Sequence, residues 1–391
     1  MAGIGIEQRL YEDVTGHGAM PSQELRQMAE AGFIDFSQSK SPEGKRIQPA
    51  SMDFSALPED VYEVPGGIMP KTGETVFELI KKVGGHRLKY GAEMRPGATY
   101  VVPVAEKIRL PDELYAFANT KSSVGRNSVL AKILADGVPR HDKIPKGFRG
   151  KIWFMISSGH FPFQVAEGDR ISQVRVFDRD TRFDPVSMRL AFEKYELLFR
   201  ANGTPYRYEE LKIEDHDGSL VLTIDLETPI DGNDGAVGYV AKEHTPVLKL
   251  EGSNDLPAFF DPVPKPESGF LKLEKGKFYL FKTAEYSRIP PCFAAEMRAM
   301  NRHSGEYRSN KAGYGDAGFG YGRTGSIKGR PFVLEIEPSV HDLMVRHHQP
   351  IANLDYERLR AIPDLVYGDD KLGSSYTHQR HVVPSRCFNS K

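Results

Sequence analysis

The chain has 391 residues, 39% hydrophobic and 27% charged, with 52 Lys and Arg against 53 Asp and Glu and a formal net charge of −1. That length suits two or three globular domains, the composition excludes a disordered or collagen-like chain, and the charge balance argues against a broad basic face for nucleic acid. Two cysteines cannot build a disulfide framework, the start MAGIGIEQRL lacks the pattern of a signal peptide, and no apolar run reaches the ~18 residues needed to cross a membrane. The expectation is a cytoplasmic protein without a membrane partner.

Along the chain, Ser22 is placed to N-cap a short helix with Leu25, Met28 and Ala29 on one face and Gly32 just past its end. Short apolar runs follow: YVVPV, KIWFMI, RISQVRVF, LVLTIDL, KFYLF and PFVLEI, separated by Gly, Pro and Asp turns. This is the pattern of an all-β sandwich or barrel. Within it, Val129, Leu130, Ile133 and Leu134 recur at helical spacing and predict a helix. Residues 187–201 form the best helical stretch, closed by Asn202-Gly203. It reads as a connection between two β-rich domains, 1–204 and 205–391, with the boundary near 205–218. The fold class is therefore mainly β, with a few short helices.

The two halves share a pattern. Gly97, Tyr100, Ala105, Glu106, Arg109 and Pro111 each recur 179 residues later, as Gly276, Tyr279, Ala284, Glu285, Arg288 and Pro290. Gly150 and Gly329 keep that offset at the heads of KIWFMI and RPFVLE. A tandem duplication of one β-rich unit explains this, and a repeat of such length sets the whole fold.

Two segments carry candidate chemistry. Thr120-Lys121-Ser122-Ser123-Val124-Gly125-Arg126 follows a strand-like run. Hydroxyls, small residues and a cation at a helix start hold anions, because free N–H groups and the helix dipole favour negative charge there. Arg126 adds a planar fork suited to phosphate. The same residues also fit an N-cap serine followed by a surface arginine. The second segment is Asp316-Ala317-Gly318-Phe319-Gly320, then Gly329-Arg330-Pro331-Phe332-Val333-Leu334-Glu335-Ile336. Strand alternation puts Glu335 on the side of Val333. In a pocket it would be a general base; on an open sheet face it would be a solvated strand glutamate.

Other motifs carry less. Gly313-x-Gly315-x-x-Gly318 has neither the strand before it nor the helix after it that a dinucleotide site needs. No GxxxxGK[ST] loop occurs. No His starts an H-x-E and there is no C-x-x-C, which excludes the zinc deaminase signature. His347-His348 and His378/His381 match no standard metal spacing and read as surface or substrate-loop residues.

Together, Ser122-Ser123-Val124-Gly125-Arg126, Asp316-Ala317-Gly318-Phe319, Leu334-Glu335 and the opening PASMDF (Pro49 to Phe54) resemble the dCTP deaminase and dUTPase superfamily, in particular the long, duplicated bacterial form of dCTP deaminase. The resemblance covers most of the chain. It implies a distorted β-barrel or jelly-roll-like fold, a homo-oligomer, and dCTP as substrate. It also implies metal-independent deamination, with Mg²⁺ carried by the triphosphate and no zinc or other protein-bound metal. It assigns water activation to Glu335 and orientation of reacting groups to Arg126. Lys121, Ser122 and Ser123 hold phosphate, Asp316 reads the 3′-hydroxyl beside Phe319, and the backbone near Val333 and Leu334 reads the base. Tyr367, Lys371 and Gln379 fall in a segment similar to the family's closing tail.

The sequence departs from that pattern in each half. In the first, Pro145 replaces the turn aspartate, and Met155 or Ile156 stands where the glutamate belongs. In the second, the phosphate segment has become Arg302-His303-Ser304-Gly305-Glu306-Tyr307-Arg308. The expectation is a composite site, with phosphate binding from the first half and the base from the second. A dUTP pyrophosphatase, a bifunctional enzyme and a non-catalytic nucleotide-binding regulator are the alternative readings.

Overall fold

A computed structural model describes residues 13–211, 216–230, 235–299, 307–372, 374 and 376–388. The stretch MAGIGIEQRL, residues 302–306 of the altered phosphate segment, and positions 373 and 375 of the tail lie outside the described residues. The chain divides into two compact units. The N-terminal unit holds Ser22–Arg179, Lys242–Phe259 and Ser385–Lys391; the C-terminal unit holds Met1–Pro21, Asp180–Ala241 and Phe260–Pro384. The units are thus not the contiguous stretches 1–204 and 205–391. They divide at 179/180, and each contains segments from the far half of the chain.

The N-terminal unit contains β1 (Met52–Ser55), β2 (Tyr62–Val64), β3 (His86–Arg87), β4 (Thr99–Pro103), β5 (Tyr115–Thr120), β6 (Val129–Ala135), β7 (Lys143–Ile144), β8 (Ile152–Ser158) and β9 (Arg170–Phe177). A five-stranded sheet runs β3-β2-β4-β8-β6 and a four-stranded sheet runs β1-β9-β5-β7. The C-terminal unit contains β10 (Leu220–Asp225), β11 (Ala236–Ala241), β12 (Phe260–Pro264), β13 (Tyr279–Thr283), β14 (Phe293–Ala299), β15 (Tyr307–Arg308), β16 (Tyr314–Gly315), β17 (Val333–Pro338) and β18 (Pro350–Arg358). Its strands pair as β12-β11-β13-β17-β15 and β10-β18-β14-β16, the two rows joined where β10 meets β13. The strand order is the same in both units, and the mainly β expectation holds.

The internal clamps match as well. Ser55 donates from its amide and its hydroxyl to the buried Glu106 carboxylate, at 2.7 Å each. Thr223 does the same to Glu285, at 2.8 and 2.6 Å. Burial pushes both carboxyls up from their ordinary value, against these hydrogen bonds. The hydroxyls of Tyr100 and Tyr279 accept from the amides of Arg95 and Glu274.

Among the described residues four α-helices accompany the strands: α1 (Ser22–Glu30), α2 (Val76–Lys82), α3 (Ser122–Gly125) and α4 (Pro185–Tyr195). The first ends as expected, with Gly32 at φ +77°. Helix α2 begins in a capping box, in which Thr75 and Glu78 exchange hydrogen bonds. Helix α4 starts earlier and stops earlier than its pattern predicts. Asp184 caps it, and Glu196 in the left-handed region ends it. It is not a connection: Met188, Ala191, Phe192 and Tyr195 pack into the core of the C-terminal unit with Phe293, Leu354 and Tyr356.

The helix expected over Val129 to Leu134 is a strand. Val129, Ala131 and Ile133 alternate inward along β6, with Leu130 and Lys132 only partly buried. The spacing fits either period over so few residues, and pairing along all of β8 decides it.

Candidate functional site

In the N-terminal unit, β5 delivers the chain into α3, a single turn, before β6 begins. The expected helix start is therefore very short, and Lys121, not a serine, is its N-cap residue. The amides of Val124 and Gly125 both donate to the Lys121 carbonyl. Ser385 Oγ and Asn127 Nδ2 donate to the Ser123 carbonyl at 2.6 and 2.9 Å, so residues from the far end of the sequence shape this turn. Ser122 is half-buried, while Ser123 and Arg126 are buried.

Lys121 Nζ contacts both Asp53 oxygens, at 2.9 and 2.7 Å. Asp53 also pairs with Arg170, which reaches Glu251. Burial pulls the Lys121 ammonium below its usual pKa, against the attraction of Asp53. Its charge is committed to this buried network.

In the C-terminal unit, Glu335 lies in β17 between β13 and β15 and is 1% exposed. The backbone amides of Lys311 and Ala312 donate to Glu335 Oε2 at 2.5 and 2.9 Å. The Glu335 amide in turn donates to the Ser309 carbonyl. This clasp fixes the carboxylate by charge-assisted hydrogen bonds. Sequence reasoning missed it because any residue supplies a backbone N–H. The legible signal is Gly313, where a Cβ would sit 1.9 Å from the Met297 carbonyl oxygen.

Strand register settles what replaces Glu335 in the N-terminal unit. Tyr100 pairs with Ile156 and Val101 with Met155; Tyr279 pairs with Ile336 and Leu280 with Glu335. With the two tyrosines superposed, Met155 occupies the glutamate position. Its sulfur accepts the Ile68 amide at 3.3 Å. A thioether cannot act as a base there.

The turn at Asp316 to Gly320 packs beside β17. Asp316 is buried, and its carbonyl accepts from the Phe319 amide. The Phe319 ring lies 5.0 Å from Phe332 and 5.5 Å from Tyr367, centroid to centroid. Gly320 adopts φ +63°, and a Cβ would meet the Ser287 carbonyl at 2.1 Å, so only glycine fits this turn. The tail closes over the same region. The Tyr367 amide donates to Ala317, and Gln379 Nε2 donates to the Pro331 carbonyl at 2.6 Å. The unit thus brings Asp316, Phe319, Val333, Leu334, Glu335, Tyr367 and Gln379 into one neighbourhood. Leu334 points into the core, and Lys371 is exposed in a 3-10 turn.

Of the histidines, His348 and His378 are exposed and His347 and His381 half-buried. His347 Nδ1 lies 3.6 Å from Asp225 Oδ1, and His348 Nδ1 lies 3.2 Å from Thr223 Oγ1. Among the described residues no three His, Cys, Asp or Glu side chains gather as a metal-binding group, and no helix is long and apolar enough to cross a membrane.

Comparison with known proteins is consistent with this geometry. The family model for the 2′-deoxycytidine 5′-triphosphate deaminase N-terminal domain matches residues 16–180, and that for its C-terminal domain matches residues 200–388. A crystal structure of 2′-deoxycytidine 5′-triphosphate deaminase from Agrobacterium tumefaciens superposes with a TM-score of 0.80 at 28% identity, over 92% of this chain and 100% of that one. A dUMP-forming dCTP deaminase from Methanoculleus marisnigri is 28% identical over 170 residues, 42% of this chain and 82% of the relative. A Bacillus subtilis protein described as an acyl-CoA dehydrogenase is 24% identical over 229 residues; the match spans 54% of each chain, about half that relative's length. The two family models and the structural match agree with one another and with the site: the chain belongs to the dCTP deaminase family.

Proposed function

We propose that the chain hydrolyses dCTP, presented as its magnesium complex, to dUTP and ammonia. The observation that carries this reading is the buried Glu335, clasped by two backbone amides in a unit that also holds the Asp316 turn and the tail. Glu335 takes a proton from water as the hydroxide adds to C4 of cytosine. That proton passes to N3, and the proton of the new C4 hydroxyl then passes to the departing amine as the C4 carbonyl forms. The C4–N bond then breaks, and ammonia leaves. Fixed dipoles and charges of this kind act most strongly in a closed, dry pocket.

Phosphate binding falls to Ser122 and Ser123, with Arg126 steadying the reacting groups. Tyr367, Lys371 and Gln379 contribute from the tail. The matching strand orders and the paired Glu106 and Glu285 clamps support descent from a duplicated unit in which each copy kept a different part of the machinery. We propose a homo-oligomer in the cytoplasm, without nucleic-acid partners.

Incubating the protein with dCTP and Mg²⁺, with and without chelator, tests the reading. Ammonia with dUTP is expected; absence of ammonia release overturns it. A second reading, release of dUMP and pyrophosphate, is favoured by the dUMP-forming relative. Assaying pyrophosphate in the same reaction separates the two. Arg126→Ala is expected to lower kcat by about 100-fold or more, although Arg126 and Glu335 belong to different units. Normal kinetics in that variant would remove the shared-machinery idea.

A further inference from the structure

The N-terminal unit contains a second place built for an anion. A cavity of about 530 Å³ opens where β1 and β4 end and β8 begins. Leu57, Pro103, Val104, Ile152 and Trp153 line it, and Lys107, Arg109, Arg149 and Lys151 stand around it. Its size lies within the roughly 300–1,000 Å³ of small-molecule sites.

Three observations point to a missing ligand. Arg109 and Arg149 are cross-strand partners, so two like charges face each other directly, an arrangement that destabilises a sheet. Among the described residues the Arg149 and Lys151 side chains have no ion pair or hydrogen bond. Two of the cavity's three carboxylates are already engaged: Asp60 with Arg87 at 2.7 Å, and Glu106 with Ser55. Second, Trp153 gives the cavity an apolar wall that is 5% exposed and held in place by ring contacts with Tyr62 and Phe77.

Third, the same position in the C-terminal unit is filled by the chain itself. Tyr286 OH donates to the Arg380 carbonyl and Arg330 Nε to the Thr377 carbonyl, both at 2.9 Å. Tyr286 corresponds to Lys107 at the offset of 179, and, with the extra residue before β17, Pro331, whose carbonyl accepts from Gln379 of the tail, corresponds to Lys151. Where one unit holds its own tail, the other presents two lysines and an open cavity.

The cavity is not the Ser122 to Arg126 turn. That turn adjoins Val129, which pairs with Ser158. Ile152, at the cavity, pairs with Ala135 at the opposite end of the same ladder. Six residues of strand put about 20 Å between them.

We propose that this cavity binds a phosphate-bearing small molecule, with the guanidinium forks of Arg109 and Arg149 on the phosphate and the Trp153 wall against its organic part. The chain's single tryptophan is Trp153, so its emission reports this site alone. The test is titration of the full chain with inorganic tripolyphosphate, and separately with a pyrimidine nucleoside triphosphate, under selective tryptophan excitation. A saturable change is expected, tighter for the nucleotide if the organic part contributes. Arg149→Ala weakens it roughly tenfold or more, and the Arg109→Ala/Arg149→Ala pair abolishes it. Both side chains are exposed, so the variants fold, which circular dichroism checks.

Arg126→Ala leaves the emission response intact, which separates this site from substrate turnover. Absence of any saturable change overturns the proposal. So does a response lost in Arg126→Ala but kept in Arg149→Ala. A signal that follows protein concentration without added anion also overturns it, since the occupant would then be a segment of a second copy.

Discussion

Glu335→Gln is expected to abolish ammonia release while dCTP binding survives. The substitution preserves shape, and an amide oxygen still accepts from Lys311 and Ala312, whose N–H groups point at Oε2. It removes the one property that chemistry at C4 requires, the capacity to take a proton. General-base catalysis contributes about 10²- to 10⁴-fold, so kcat should fall by that order. Equilibrium binding of dCTP should change by no more than a few-fold, measured by calorimetry beside an ammonia assay. Unimpaired turnover would sink the assignment of Glu335 as base. The N-terminal unit supplies a natural counterpart: Met155 stands at the equivalent position, and no substrate chemistry is expected to depend on it.

The second large effect concerns stability. Asp225 and Lys282 are paired across β10 and β13, 4% and 1% exposed respectively. Removing one member of such a pair strands the other charge in a dry interior, which costs about 3–5 kcal/mol. That is a large share of the ~5–15 kcal/mol by which domains are stable. Asp225→Ala should therefore lower the denaturation midpoint sharply, whereas the double change Asp225→Ala with Lys282→Met should recover much of the loss. No recovery would show that the charge is not the cause.

The pair also sets an acid limit. Burial pushes the Asp225 carboxyl up, but Lys282 and the neighbouring hydrogen bonds outweigh it and pull the pKa down from 3.8 to about 2. A depressed carboxylate pKa stabilises the fold above its unfolded value, here by about 2 kcal/mol. That contribution falls away as pH drops from about 4 toward 2. Unfolding curves of wild type and the double variant should therefore converge in acid.

Much of this was legible in the residues. The identities from Gly97 to Pro111 and from Gly276 to Pro290 announced two β-rich units, and Leu334-Glu335 marked the strand whose glutamate is buried and clasped. The failures have physical causes. Val129 to Leu134 spans too few residues for a helical period to be told from a strand that is buried at both ends. The choice between Met155 and Ile156 turns on one extra residue before β17, which pairing with β13 reveals and ungapped comparison cannot. The clasp on Glu335 is made by backbone amides, which leave no mark on side-chain identity. Lys121 looked like a free phosphate cation because its partner, Asp53, is distant in sequence.

The exchange of segments between the units bears on how the protein is made. A ribosome completes Ser22–Arg179 early, yet the turn that carries Ser122 and Ser123 still lacks the Ser385 hydroxyl that binds its carbonyl. Asn254 and Cys387, which bond to each other in the same unit, are also translated far apart in time. The unit synthesised first therefore waits on residues translated after the last segment of the C-terminal unit.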